Sequence, residues 1–319
     1  MTLIADLAPS SNRTLPTFSV IIPVYNGRKH LAETLESVLN QEQPPDEIIV
    51  VEDGSPVPSA DIVQAFPSVR YVTQKNSGVS QSRNHGASLA TSEWLCFLDQ
   101  DDVLSPSHLS QLADAIKNSE AADVYYTPRL LLMNTTSGWV TTPTTAPPSP
   151  AELPHDLLLR CPFPPSGISI RKQVFQSSGG FLQKYDLAED WEFWLRLMTQ
   201  GRVFHRCTKP TMYYRVHLES NSHRPLPILT ANLRVIREKI LPLLSPRRRF
   251  WIGKRMISRQ EAEAAILLRQ TGQPGGIALL FRSIFRFPFG NGRRYKIIGH
   301  MILFGSRMLG QPQNSTVSH

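Results

Sequence analysis

Three carboxylates fall within four residues in Asp99-Gln100-Asp101-Asp102, directly after the apolar run Trp94-Leu95-Cys96-Phe97-Leu98. An Asp-x-Asp pair at a strand end puts two hard oxygen donors within reach of one divalent cation, which suits Mg²⁺ or Mn²⁺ carrying a substrate diphosphate. A calcium loop does not fit, because the sixth and twelfth positions, which need Gly and Glu, hold Leu104 and Ser110. The other reading is a solvated strand end, with Asp102 starting the next turn.

Further groups of this kind recur along the chain. Asp53-Gly54 offers an acceptor for a nucleobase N–H or a ribose hydroxyl, or else makes an ordinary Asp-Gly turn. The stretch from Gln74 to Gly86 brings Asn76, Gly78, Arg83 and Asn84 to a helix start, where free N–H groups and a guanidinium suit an anion or a buried carboxylate. Asp190 opens a helix in Ala188-Glu189-Asp190-Trp191, where an acid is by itself a plain N-terminal stabiliser. His217 lies in a polar stretch, where a lone His is more often a surface residue, and the 9 His of the chain form no metal cluster by spacing.

These groups need elements to bring them together. Residues 18–24, 46–52, 69–73 and 93–99 read as nearly continuous apolar strands, as expected of parallel strands covered on both faces. Helical patterns separate or follow them at 28–41, 78–90 and 105–119, so a βαβ succession builds an α/β fold on an open, doubly wound, mostly parallel sheet. Ligands of such sheets sit at the carboxyl ends of the strands, which places Pro23 to Gly27, Glu52 to Ser55, Lys75 to Gly78 and Asp99 to Asp102 on one rim. The beat breaks near residue 128, and 141–154 reads as a Pro/Thr-rich loop. Order resumes with a helix whose Trp191, Trp194, Leu195 and Met198 share one face and which Gly201 closes.

At 319 residues and 41% hydrophobic, the chain has enough material for one large core. Its net charge of +8 is uneven: residues 225–319 hold 16 of the 34 basic residues and only 3 of the 26 acidic ones. The start of the chain carries no signal-like run, no stretch of about 18 apolar residues occurs, and the 3 cysteines are widely spaced. A reducing, cytoplasmic location is expected.

Taken in order, Phe18 to Gly27, Ile48 to Ser55, Asn76 to Gly86, Phe97 to Asp102, Ser178 to Phe181, Ala188 to Leu197 and Tyr213 to Ser222 resemble the successive motifs of the family 2 glycosyltransferases, inverting nucleotide-sugar transferases of the GT-A fold. The resemblance covers about residues 17–223. It implies a donor nucleotide, most commonly UDP, bound by Pro23, Tyr25, Asp53, Asn76, Gly78, Arg83, Asp99 and Gln100, with Asn84 in support. It further implies a divalent cation, Mn²⁺ or Mg²⁺, on Asp101, Asp99 and His217, and Asp190 as catalytic base. Glu189, Trp191 and Gly180 would stand behind the base or beside the acceptor, a glycan or a lipid-linked sugar. Trp191 and Trp194 also suit a core. Glu52 stands where Asp is common in the family.

The resulting division is a flexible N-terminus (1–16), a GT-A catalytic domain (17–224) and a basic helical C-terminal extension (225–319). The extension either caps the core or lies against an anionic membrane surface at its inner face; no nucleic-acid motif accompanies the charge. A nucleotidyltransferase would carry a Gly-rich basic loop after the first strand, where Pro23 to His30 has a single Gly. A non-catalytic nucleotide-sugar binder would have no use for both Asp101 and Asp190.

Overall fold

The computed structural model describes residues 15–119, 122–135, 138–217, 224–289 and residue 295. The expected N-terminal arm lies outside them apart from Leu15 and Pro16, as do residues 218–223 of the last motif and most of the chain beyond 289. Strand and helix alternate through β1 (Phe18–Val24), α1 (Arg28–Leu39), β2 (Glu47–Glu52), α2 (Ala60–Gln64), β3 (Val69–Thr73), α3 (Val79–Leu89) and β4 (Trp94–Phe97). There follow β5 (Val103–Leu104), α4 (His108–Asn118), β6 (Val124–Tyr126), β7 (Arg129–Thr135), β8 (Gly138–Pro143), α5 (Leu153–Leu159), β9 (Ile168–Arg171), α6 (Lys172–Ser177), α7 (Glu189–Thr199), β10 (Phe204–Arg206) and β11 (Met212–Val216). The last helices are α8 (Pro225–Val235), α9 (Pro246–Gln270) and α10 (Gly276–Arg286).

The main sheet has the order β10-β6-β9-β4-β1-β2-β3. Pairing is parallel across β3, β2, β1 and β4. Because β2 lies on one side of β1 and β4 on the other, the strand order reverses at β1, and a crevice opens at its carboxyl end. Alternate residues feed two cores. Ile21, Ile49, Val51, Leu95 and Phe97 face one with α5 and α7, while Val20, Ile22, Ile48, Val50 and Trp94 face the other with α1 and α4. Burial on both faces is why these strands are apolar throughout.

The sheet is mostly parallel, as expected, with one strand the sequence did not reveal, and one further stretch departs from the expectation. β9 runs antiparallel between β4 and β6, so the sheet is mixed. The stretch expected to be irregular from 128 contains the hairpin β7–β8, part of a second sheet with the order β5-β11-β7-β8. Thr141 to Pro143, assigned to the loop, end β8 instead. The strand lies at the sheet edge and is mostly exposed, so it tolerates Pro and shows no apolar alternation.

Trp191 and Trp194 are core side chains, and Gly201, at φ +74°, donates its N–H to Met198 C=O as α7 ends. The basic C-terminal helices share this core. Leu229, Val235, Ile236, Ile240 and Met256 join the cluster that holds both tryptophans. The fully buried Glu192 of α7 pairs with Arg196 at 2.9 Å and with Lys239 at 2.8 Å. Residues 225–270 therefore cap the core. No helix among the described residues is long and apolar enough to cross a membrane.

Candidate functional site

The rim begins where β1 ends. The N–H of Tyr25 donates to Gln100 Oε1 at 2.8 Å, and Gln100 Nε2 donates to the Tyr25 C=O at 3.0 Å, so the side-chain amide pairs with the turn as a strand neighbour would. Gly27 makes room for it, since a Cβ there would lie 2.2 Å from Gln100 Oε1. The Tyr25 ring stays exposed over the crevice edge.

At the end of β2 both acids are buried. Glu52 accepts from the N–H and hydroxyl of Ser55 and from Ser59 N–H at 2.9 Å, so it shapes its own loop. Asp53 accepts from Gln74 Nε2 and Ser77 N–H at 2.8 Å and from Gly78 N–H at 2.9 Å. Its carboxylate thus sets the turn leading into α3, with Gly78 at φ +89°. Asn76 and Asn84 line an open depression of about 650 Å³ along this turn, with Gln183 opposite.

Arg83 ties the rim to α7. Nearly inaccessible itself, it donates to Asp99 Oδ1 at 2.6 Å and to Glu189 Oε1 at 2.7 Å. Burial opposes its charge, yet Asp99 and Glu189 hold the guanidinium above its ordinary pKa. Asn84 pairs with Phe181 in both directions, Nδ2 to C=O at 2.8 Å and N–H to Oδ1 at 2.9 Å. Gly180, at φ +61°, allows this approach, because a Cβ there would lie 2.6 Å from Asn84 Oδ1.

The acid run divides its labour. Asp99 leans on Arg83. Asp101 Oδ2 lies 2.6 Å from His217 Nε2. Asp102 is buried and accepts Arg215 N–H at 3.0 Å. Burial and then the neighbouring acids push the carboxyls of Asp101 and Asp102 up from their usual range. Among the described residues no three His, Cys, Asp or Glu side chains converge to hold a cation by themselves. The three expected ligands are thus not gathered into one donor set: Asp99 is held by Arg83, while Asp101 and His217 face each other.

At the head of α7, burial first and Glu189 second push the Asp190 carboxyl up to about 7, into the range of a working general base. Trp191 does not face a ligand: it is buried and donates Nε1–H to Leu157 C=O at 2.7 Å, so its expected place beside an acceptor gives way to a bracing role.

Several residues at the site carried no signal in the sequence. Arg215 is fully buried, donating Nε–H to Asp101 C=O at 2.8 Å and Nη2 to Glu33 at 2.6 Å beneath the Trp139 ring. The one clue to it was its place two residues before His217, on the same alternation of an extended chain. Ser166 receives the Asp99 N–H at 3.0 Å, and Asp186 takes the Ser80 hydroxyl. Cys161 sits beside Asp190, its thiol held well above the usual pKa by burial and then by that carboxylate.

Residues 19–178 match the description Glycosyl transferase family 2. An uncharacterized glycosyltransferase of Haemophilus influenzae is 27% identical over 215 residues, 64% of this chain and 70% of that one. Glycosyltransferase GlyG of Streptococcus pneumoniae is 35% identical over 108 residues, which are 32% of this chain and 36% of its own length. Among solved structures, residues 1–349 of S. aureus TarS in complex with UDP-GlcNAc superpose with a TM-score of 0.58 at 19% identity, covering 88% of this chain and 83% of that one. Identity this low speaks for the fold alone.

Proposed function

Because the chain belongs to glycosyl transferase family 2 and is a glycosyltransferase, we propose that it moves a sugar with inversion from a UDP-sugar to a hydroxyl of a glycan or lipid-linked acceptor. The nucleotidyltransferase and binder alternatives give way to the family match. UDP is favoured as the donor nucleotide by the likeness to TarS, whose structures hold UDP and UDP-GlcNAc. In this reading the Tyr25 ring and the loop ordered by Asp53 flank the base, and Asp99, Asp101 and His217 meet the diphosphate through a divalent cation. When bound, that cation offsets the negative charge growing on the leaving phosphate.

The chain's own residues do the rest. Arg83 fixes Asp99 and Glu189 relative to each other, so the rim and the head of α7 move as one body. Asp190 takes the proton of the attacking acceptor hydroxyl, and attack from the face opposite the leaving group inverts the anomeric carbon without a covalent intermediate.

The observation that carries this reading is the Asp190 carboxyl, pushed up to about 7 and placed next to Glu189, which Arg83 joins to Asp99. Thermal-shift screening of UDP, GDP and TDP sugars with and without Mn²⁺, followed by transfer assays on the hits, tests it. A UDP-sugar that stabilises the protein only with metal is the expected result; no response to any nucleotide sugar overturns the donor assignment.

A further inference from the structure

Helix α10 is held on α9 by ion pairs and close packing. Glu261 of α9 is fully buried and accepts Arg282 Nε at 2.8 Å and both Nε and Nη2 of Arg286 at 3.1 Å. One helical turn is further fixed by Ser258 Oγ, which donates to Ser283 C=O at 2.7 Å. Gly276 packs so closely that a Cβ there would lie 2.8 Å from Ala265 O. These contacts set the rotation of α10 on α9, and Gly276, Leu280 and Ser283 are buried between the two. The opposite face carries Ile277, Phe281 and Phe285 in an i, i+4, i+8 row, 45%, 45% and 86% exposed, with Phe289 beyond the helix 79% exposed.

A lone exposed Phe is ordinary, but a row of them on one helix calls for a cover. Charge decides what covers it. Residues 225–289 hold 12 Lys and Arg against 3 Glu, and Arg247, Arg248, Arg249, Lys254 and Arg255 are exposed. The helices α9 and α10 run antiparallel, so the basic start of α9, with exposed Phe250 and Trp251, shares one end of the cap with Phe285 and Phe289. A second copy of the chain would bring the same positive charge to the contact. Nucleic acid would meet the arginines and leave the Phe row in water. An anionic bilayer takes both, with rings at the headgroup and acyl boundary and guanidinium groups on lipid phosphates.

We propose that the outer face of α10 and the basic start of α9 form an in-plane docking surface for anionic lipid. The surface is separate from the donor rim and does not rest on the donor assignment.

The test is co-sedimentation of the full chain with vesicles of phosphatidylcholine alone and of phosphatidylcholine mixed with phosphatidylglycerol. Binding is expected only to the mixed vesicles, weakening as salt is raised, with F281S/F285S and separately R247Q/R248Q/R249Q each lowering it about tenfold or more. The Phe pair is exposed, so melting temperature and turnover of soluble donor should stay at the unsubstituted level, which separates loss of docking from loss of fold or site. Equal binding to both vesicle types, or undiminished binding by F281S/F285S, overturns the proposal. So does a failure to bind vesicles combined with a dimer, seen by sedimentation equilibrium, that F281S/F285S dissociates.

Discussion

His217 Nε2 stands 2.6 Å from Asp101 Oδ2, joining two residues 116 positions apart. The residue that follows β11 makes this contact from one side and the acid run from the other, and Arg215 of β11 donates to both Asp101 and Asp102. If a cation is shared with the diphosphate here, His217→Ala should raise the Mn²⁺ concentration needed for half-maximal transfer about tenfold or more. Metal titration of the transfer rate measures this. An unchanged requirement removes His217 from the ligand set.

Asp190 is raised from 3.8 to about 7 by burial and then by Glu189, and this has two opposite consequences. As a base it must be ionised, so kcat/KM should climb with pH through about 7 and then level. For stability the sign reverses. The folded protein holds a proton that the unfolded chain releases near 3.8, so this residue costs stability progressively as pH rises from about 4 to 7. Asp190→Asn should lower transfer by about 10²- to 10⁴-fold. It should also melt at a higher temperature than the unsubstituted protein at pH above 7, with the difference gone at low pH. Full transfer by this variant would end the assignment of the base.

Replacing Arg83 leaves Asp99 and the buried Glu189 facing each other without a cation. Arg83→Gln should cost about 3 kcal/mol or more in denaturant unfolding. Arg83→Lys should recover only part of this, because one ammonium does not span both carboxylates as the planar guanidinium does. Equal stability of all three proteins would show that the bridge contributes little.

Much of this site was legible in the sequence, and the reason is local. Parallel strands buried on both faces announce themselves by composition, and their loops must gather at one rim, so Asp53, Asp99 and Asp101 could be placed there before any coordinates, whereas Asp190 was named only through the family resemblance. What stayed hidden depends on pairing over long distances. Nothing near Arg215 in the chain shows that it will be buried against Asp101, and nothing near Gly180 shows that it will pass Asn84. Strand β8 is exposed and ends in Pro, so it carried no apolar period by which to be found. The direction of β9, antiparallel between two neighbours, is likewise a property of the sheet and not of Ile168 to Arg171.

Gly180→Ala tests one of these hidden contacts. The φ of +61° and the approach of Asn84 Oδ1 both oppose a side chain, so a loss of about 1–3 kcal/mol in unfolding free energy is expected. The metal requirement should not move, which distinguishes a backbone effect from damage to the ligand set.

The Gln100 amide that completes the Tyr25 turn has a practical consequence for anyone recombining such enzymes. Residues 25–27 and 99–102 come from distant parts of the gene, yet they are cut to one another like the halves of a mould. A chimera that imports only the first loop from a homologue with another donor inherits a backbone shaped for a different residue 100. Any exchange between relatives should therefore move the two segments together.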